Sequence, residues 1–298
     1  MVIRKYYGGY ILKIGLCLSG GGVRSAAHIG VIKALLENGV EISAISGTSG
    51  GSIVAALYAV GYTVEQMEDI FLSCAKVLWS DSSKLGYLLQ SAINIFRNPF
   101  GIISARKFEK MMCKIFARVG ASGMSTVKVP LAIPSVDINT SQIIMFVSQK
   151  ELLGSCDNNC VYYTDTPICK AVRASCSLPI VFRPEQISGH TLVDGGLKLN
   201  IPVFPLRSFG CKRVITSDLS CSSCNEGCAD SLFKLASQSI NILTTQLSHL
   251  QSKKSDYNIK IDLCDVGLLD LDSVSVCIER GYKAAKNNMA DIISSLYF

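Results

Sequence analysis

The sequence predicts an α/β protein of three layers, α/β/α, with a mostly parallel central sheet. Three observations carry this. Short apolar, β-branched runs alternate with longer stretches of helical period along the 298 residues. Two strand-to-helix junctions are glycine-rich, Ser19-Gly20-Gly21-Gly22 and Gly47-Thr48-Ser49-Gly50-Gly51. A hydrophobic content of 49% supplies one large core, enough to cover both faces of a sheet.

The elements follow in order. Tyr10 to Leu18 reads as a strand, and the glycine run after it opens a helix from Val23 to Asn38, with Ala27, Val31, Ala34 and Leu35 at helical spacing and Asn38-Gly39 as its stop. Ile42 to Ser46 is a second strand. Ser49 to Val60 is a short helix so apolar that it must be buried on every side. Thr63 to Lys76 is a helix whose Thr63 and Gln66 form a capping box. Leu78 to Ile103 is crowded with apolar side chains and broken by Gly86, Pro99 and Gly101. It reads as a cap over a site, as a face that touches membrane, or as ordinary packing of a helical insertion. Ser104 to Val119 is an amphipathic helix. Leu131 to Val136 and Ile143 to Val147 are strands, and Thr166-Pro167 opens a short helix toward Ala174. His190 to Val193 is a strand that ends in Asp194-Gly195-Gly196. Arg213 to Ser217 and Ile259 to Leu263 are strands. Leu232 to Leu250 is a helix with Leu232, Ala236, Ile240, Leu243, Leu247 and Leu250 on one face, and Val274 to Leu296 contains a closing helix. No linker or repeat interrupts the pattern, so residues 1–298 read as one domain with a helical apolar cap or insertion at about 78–120.

Composition narrows the functional classes. A net charge of +6, from 29 basic and 23 acidic residues, suits an anionic membrane surface or substrate as well as a merely basic soluble protein. No stretch is apolar enough to cross a membrane, and no secretory signal is evident, which points to a cytoplasmic protein, with a peripheral place on the membrane and export without a cleaved signal left open. The 13 cysteines, an odd number, fit a reducing compartment and scattered buried thiols. Cys221-Ser-Ser-Cys224 with Cys228 is at most half a zinc site, since a second such pair and suitably spaced histidines are missing. No metal or cofactor and no nucleic-acid partner is expected; the oligomeric state is left open.

The chemistry lies in three features. Ser49 sits in Gly-x-Ser-x-Gly between a strand and a helix, a nucleophile elbow that aims the hydroxyl out of the fold at the positive end of the helix. The pentapeptide alone arises in about one chain in ten of this length; its strand–helix context makes it specific. Gly20, Gly21 and Gly22 allow main-chain N–H groups to converge as an oxyanion hole, and Arg24 adds charge or braces that loop. Phosphate binding by the same loop is disfavoured by the missing Gly-Lys-Ser/Thr. Asp194 ends a strand before two glycines, where an α/β protein gathers its ligand-binding groups, and within reach of Ser49 it would act as general base. Of the three histidines, His249 reads as a surface residue, His190 lies at the far end of its strand, and His28 packs locally. A Ser–Asp dyad is therefore simpler than a triad.

These residues resemble the patatin-like phospholipase family. The matching stretches are Ser19 to Arg24, Ala27-His28-Ile29-Gly30-Val31, Gly47 to Gly51, Ala174-Ser175-Cys176-Ser177-Leu178-Pro179 with Phe182, and Asp194-Gly195-Gly196 followed by Asn200-Ile201-Pro202-Val203. The resemblance implies a patatin-like fold and hydrolysis of fatty-acyl esters of phospholipids or lysophospholipids. Ser49 would be the nucleophile and Asp194 the base, with Gly20, Gly21 and Gly22 as oxyanion donors flanked by Arg24. The partner it implies is a lipid, and no metal is needed. The chain departs from the family at Ser25, where glycine commonly follows the arginine. Three alternatives stand beside this reading: an acyltransferase or thioesterase with the same dyad, a non-catalytic lipid-binding module, and a nucleotide-binding protein.

Overall fold

The computed structural model describes residues 6–7, 10–82, 105–149, 159–179, 181–221, 232–268 and 270–297. Most of the expected insertion, residues 83–104, lies outside them, as do Cys156, Cys224 and Cys228.

Strands β1 (Tyr6–Tyr7) and β2 (Tyr10–Ile11) form a small hairpin ahead of β3 (Ile14–Leu18), so the expected strand from Tyr10 is broken at Leu12-Lys13. The main sheet adds β4 (Ala44–Gly47), β5 (Leu131–Asp137), β6 (Ile143–Val147), β7 (Cys160–Tyr163), β8 (Glu185–Ile187), β9 (His190–Asp194), β10 (Arg213–Asp218) and β11 (Tyr257–Lys260). Its main order is β11-β10-β3-β4-β5-β6-β7, with β9 also on β5 and β8 on β9. The run from β11 to β5 is parallel, as is β6 with β7; the pairs β5–β6, β5–β9 and β8–β9 are antiparallel. The predicted mostly parallel sheet is thus mixed at one end. Strands β7 and β8 have no counterpart in the sequence reading, being short and only half-buried, with little apolar alternation to reveal them.

The period-2 rule divides the core in two. Leu16 and Leu18, Ile45, Leu131 and Ile133, Ile144 and Phe146 face one side, while Cys17, Ala44, Ala132, Met145 and Val147 face the other. The first side carries the larger helical layer: α1 (Ala27–Glu37), α2 (Gly50–Val60), α3 (Val64–Ser82), α4 (Ala105–Ala117), α5 (Ile168–Ser175) and α8 (Val274–Asn287). Helix α2 is buried almost all round, as its composition demands. The capping box forms at α3, where Gln66 Oε1 accepts from the Thr63 amide at 3.0 Å and Thr63 Oγ1 from the Gln66 amide at 3.3 Å. Helices α1 and α8 press together at Gly30, where any Cβ would strike the carbonyl of Ile278.

The second side is covered thinly. Leu199, Ile201, Val203, Leu206, Phe209 and Cys211 pack there from the chain around α6 (Phe204–Ser208), beside α7 (Leu232–Ser252). Helix α9 (Met289–Tyr297) closes the chain.

Two disulfides, Cys113–Cys169 and Cys221–Cys264, correct the expectation of scattered thiols for these four cysteines, while Cys17, Cys176, Cys211 and Cys277 are free and buried. Their partners are 56 and 43 residues apart, so no local spacing reveals them. Cys221 thereby closes on Cys264, close to the Asp262 carboxylate, rather than completing a cysteine pair within its own loop.

Candidate active site

Parallel strands β3 and β4 end side by side, with Leu18 opposite Gly47, so the loops that follow them meet. The first runs through Gly20, Gly21 and Gly22 into a 3-10 turn (Gly22–Ala26) and then α1. The second is the elbow into α2. Its strain sits on the serine itself, at φ 52° and ψ −128°. The flanking glycines serve close approach: a Cβ on Gly47 would meet the Gly51 carbonyl, and one on Gly51 the Ser19 carbonyl.

Asp194 arrives from the opposite direction. Strand β4 pairs with the start of β5, Ile45 opposite Leu131 and Ser46 opposite Ala132. Strand β9 pairs with the end of β5, Ser135 opposite Asp194. Since β6 holds the other edge of β5, β9 occupies the edge that β4 leaves and meets the elbow head-on. Ser49 Oγ donates to Asp194 Oδ2 at 2.7 Å across 145 residues of sequence. The other carboxylate oxygen accepts from the Gly196 amide at 2.8 Å. Asp194 is only 3% exposed, and burial pushes its pKa up from 3.8 to about 6 against those two hydrogen bonds.

The chain after Asp194 is stitched along β4 and the elbow. Thr48 Oγ1 donates to the Leu199 carbonyl at 2.9 Å and Ser46 Oγ to the Pro202 carbonyl at 2.7 Å. Between them, Asn200 Oδ1 accepts from the Gly20 amide at 3.1 Å, while Asn200 Nδ2 donates to Ser248 Oγ at 2.7 Å. The expectation that all three glycines offer their N–H groups to an oxyanion is therefore corrected: that of Gly20 is engaged by Asn200. The Gly21 and Gly22 amides donate to no protein acceptor among the described residues. Arg24, buried, sends Nε to the Val266 carbonyl at 2.5 Å, and the Val23 amide donates to the Leu268 carbonyl at 2.9 Å. These two contacts tie the glycine loop to the segment 266–268.

Two serines had a place in the motif but no role. Ser175 Oγ accepts from the Ser49 amide at 2.9 Å, and the Ser177 carbonyl accepts from the Asp194 amide at 3.0 Å. One short segment thus holds the main chain at both Ser49 and Asp194. Ser25 is fully buried against Gly50, and its hydroxyl has no hydrogen-bond partner among the described residues.

The histidines stand apart from Ser49. His28 is fully buried between Ser217 Oγ (2.7 Å) and the Ser19 carbonyl (2.9 Å), and burial lowers its pKa from 6.5 to about 4. His190 binds Asp137 Oδ2 at 2.8 Å and Tyr163 Oη at 3.1 Å. His249 is exposed on α7.

Fold and site together define an α/β protein with an elbow serine bonded to a buried carboxylate beside a glycine loop. The chain belongs to the patatin-like phospholipase family, whose sequence profile matches residues 16–207. It is 29% identical over 208 residues to an uncharacterized NTE family protein of Mycobacterium bovis, covering 70% of this chain and 49% of that protein. With patatin-like phospholipase domain-containing protein 6 of Homo sapiens it shares 28% identity over 208 residues, 69% of this chain and 13% of the human one. The chain therefore spans half or less of these relatives. Among solved structures, human GIVD cytosolic phospholipase A2 aligns with a TM-score of 0.51 at 11% identity, over 96% of this chain and 60% of that one. VipD from Legionella pneumophila aligns with a TM-score of 0.50 at 14% identity, over 94% and 67%. At such identities the likeness is one of fold.

Proposed function

We propose that this protein is a serine acyl hydrolase that cleaves fatty-acyl esters of phospholipids or lysophospholipids. The observation that carries the proposal is the 2.7 Å hydrogen bond from Ser49 Oγ to the buried Asp194 carboxylate. The family supports the lipid substrate.

In the proposed reaction Asp194 takes the hydroxyl proton as Ser49 Oγ attacks the acyl carbonyl. The oxyanion of the tetrahedral intermediate meets the amides of Gly21 and Gly22 at the glycine loop; one such donor is worth roughly 3–4 kcal/mol in a comparable site. Asp194 returns the proton to the departing alcohol, leaving an acyl ester on Ser49. Water, deprotonated by Asp194, then releases the fatty acid and restores the serine. A carboxylate raised to about 6 is a stronger base than an ordinary one and is still ionised at neutral pH. The acyl chain is assigned to the apolar segment 78–103, most of which lies outside the described residues.

The test is hydrolysis of a short-chain nitrophenyl ester, followed by fatty-acid release from defined phospholipids. Ser49→Ala is expected to lower kcat by at least about a thousandfold with an unchanged melting temperature. Full activity in that variant overturns the assignment. Acyl transfer to lysolipid in preference to water would convert the reading to an acyltransferase.

A further inference from the structure

We propose that α7 is the lipid-docking surface of this protein and seats on an anionic phospholipid interface. The inference rests on the lipid-ester reading of the site and adds where the lipid surface is met.

Helix α7 is amphipathic in the inverted sense. Its inner face is polar: Ser248 and Ser252 are buried, Ser248 Oγ accepts from Asn200, Thr245 donates to the Cys221 carbonyl, and Gln251 bonds both the Lys198 carbonyl and the Ile201 amide. Its outer face is apolar. Leu235 is 54% exposed, Ile242 69%, Leu243 64% and Leu250 52%. At a helical period of about 3.6 residues these four fall on one stripe. Of the predicted apolar face, Leu243 and Leu250 thus point away from the protein. Large side chains left in water along one stripe mark an interaction surface.

Charge decides between occupants. Residues 232–252 contain no Asp or Glu, and the exposed Lys253 and Lys254 follow directly. An apolar stripe free of carboxylates and ending in cations is the pattern of a helix lying in the plane of an anionic bilayer, leucines among the acyl chains and ammonium groups at the phosphates. The chain as a whole carries +6, of the same sign. The helix also adjoins the reactive serine: Ser248 holds Asn200, Asn200 holds Gly20, and a Cβ on Gly20 would sit 3.2 Å from that of Ser49.

The test is co-sedimentation of Ser49→Ala protein, which leaves lipid intact, with vesicles of equal parts phosphatidylcholine and phosphatidylglycerol. The unaltered surface is expected to bind these vesicles and to bind pure phosphatidylcholine more weakly. Ile242→Glu with Leu243→Glu is expected to reduce binding at least about tenfold, and Ile242→Ser with Leu243→Ser to do so without added charge. With Ser49 intact, both double variants are expected to keep their melting temperature and their rate on a soluble short-chain ester. Equal vesicle binding by the double variants, or none by the starting protein, overturns the proposal. So does a dimer in size-exclusion chromatography that the same substitutions dissolve, which would make α7 a self-association face. If the protein cleaves no ester yet loses vesicle binding on substitution, docking stands and the catalytic reading falls.

Discussion

The side-chain oxygen of Asn200 accepts a hydrogen bond from the main-chain amide of Gly20 at 3.1 Å, joining two loops that lie 180 residues apart. The contact removes one N–H from the glycine loop and fixes the position of the next two. Replacing Asn200 with Ala should therefore leave lipid affinity alone and loosen the oxyanion donors. The expected result is a kcat about ten- to a hundredfold lower, with KM within about twofold. Steady-state kinetics on a short-chain ester decides it; a change confined to KM would place Asn200 in substrate binding instead.

With Asp194 as the proposed base, its ionisation is expected to set the pH dependence of activity. Its pKa is raised by burial to about 6, and only the ionised form accepts the serine proton. The kcat/KM of ester hydrolysis is expected to rise through an acid limb near that value. A limb near 3.8, the ordinary carboxylate value, would show that Asp194 is not the controlling base.

The same burial weakens the fold. The folded protein holds the Asp194 proton more tightly than the unfolded chain does, so stability falls as pH rises from 3.8 to about 6, and the loss is complete above that window. Asp194→Asn should abolish activity and raise stability at neutral pH by about 1–3 kcal/mol. Thermal unfolding of the two proteins at neutral and acid pH measures it, and the difference should vanish at the acid end.

His28 acts with the opposite sign. Its folded pKa is lowered from 6.5 to about 4, so its contribution is present above pH 6.5 and is lost as pH falls toward 4. His28→Gln should flatten the loss of melting temperature across that window, worth about 3 kcal/mol at full protonation. Retention of the wild-type slope would assign the acid sensitivity elsewhere.

Ser25 keeps a buried hydroxyl beside Gly50 that has no partner among the described residues. Ser25→Ala removes that cost with little change of volume, and a gain of about 1 kcal/mol in unfolding free energy is expected. Destabilisation on denaturant unfolding would mean that the hydroxyl has a partner in solution.

Local chemistry determined much of this protein. The three-glycine run, the strand–serine–helix elbow, the capping box at Thr63 and the all-apolar α2 each depend on residues within a few positions of one another, and such short-range rules are readable along the chain. The first and second strands around the site, and the turns that carry Ser49 and Asp194, were legible for that reason. Only the tertiary structure decided how these pieces meet. Asp194 reaches Ser49 because β9 runs antiparallel on the edge of β5 that β4 vacates, a pairing that nothing within its own strand specifies. Asn200 takes the amide of Gly20, Ser175 and Ser177 hold the main chain at Ser49 and Asp194, and two cysteine pairs close across 56 and 43 residues. In α7 the periodicity is plain in the sequence, yet the face that packs against the rest of the protein is the polar one, since the main-chain groups of Lys198 and Ile201 and the side chain of Asn200 demand hydrogen-bond partners there. Strand direction, register and the choice of buried face are set by contacts between distant segments, and periodicity within one segment does not encode them.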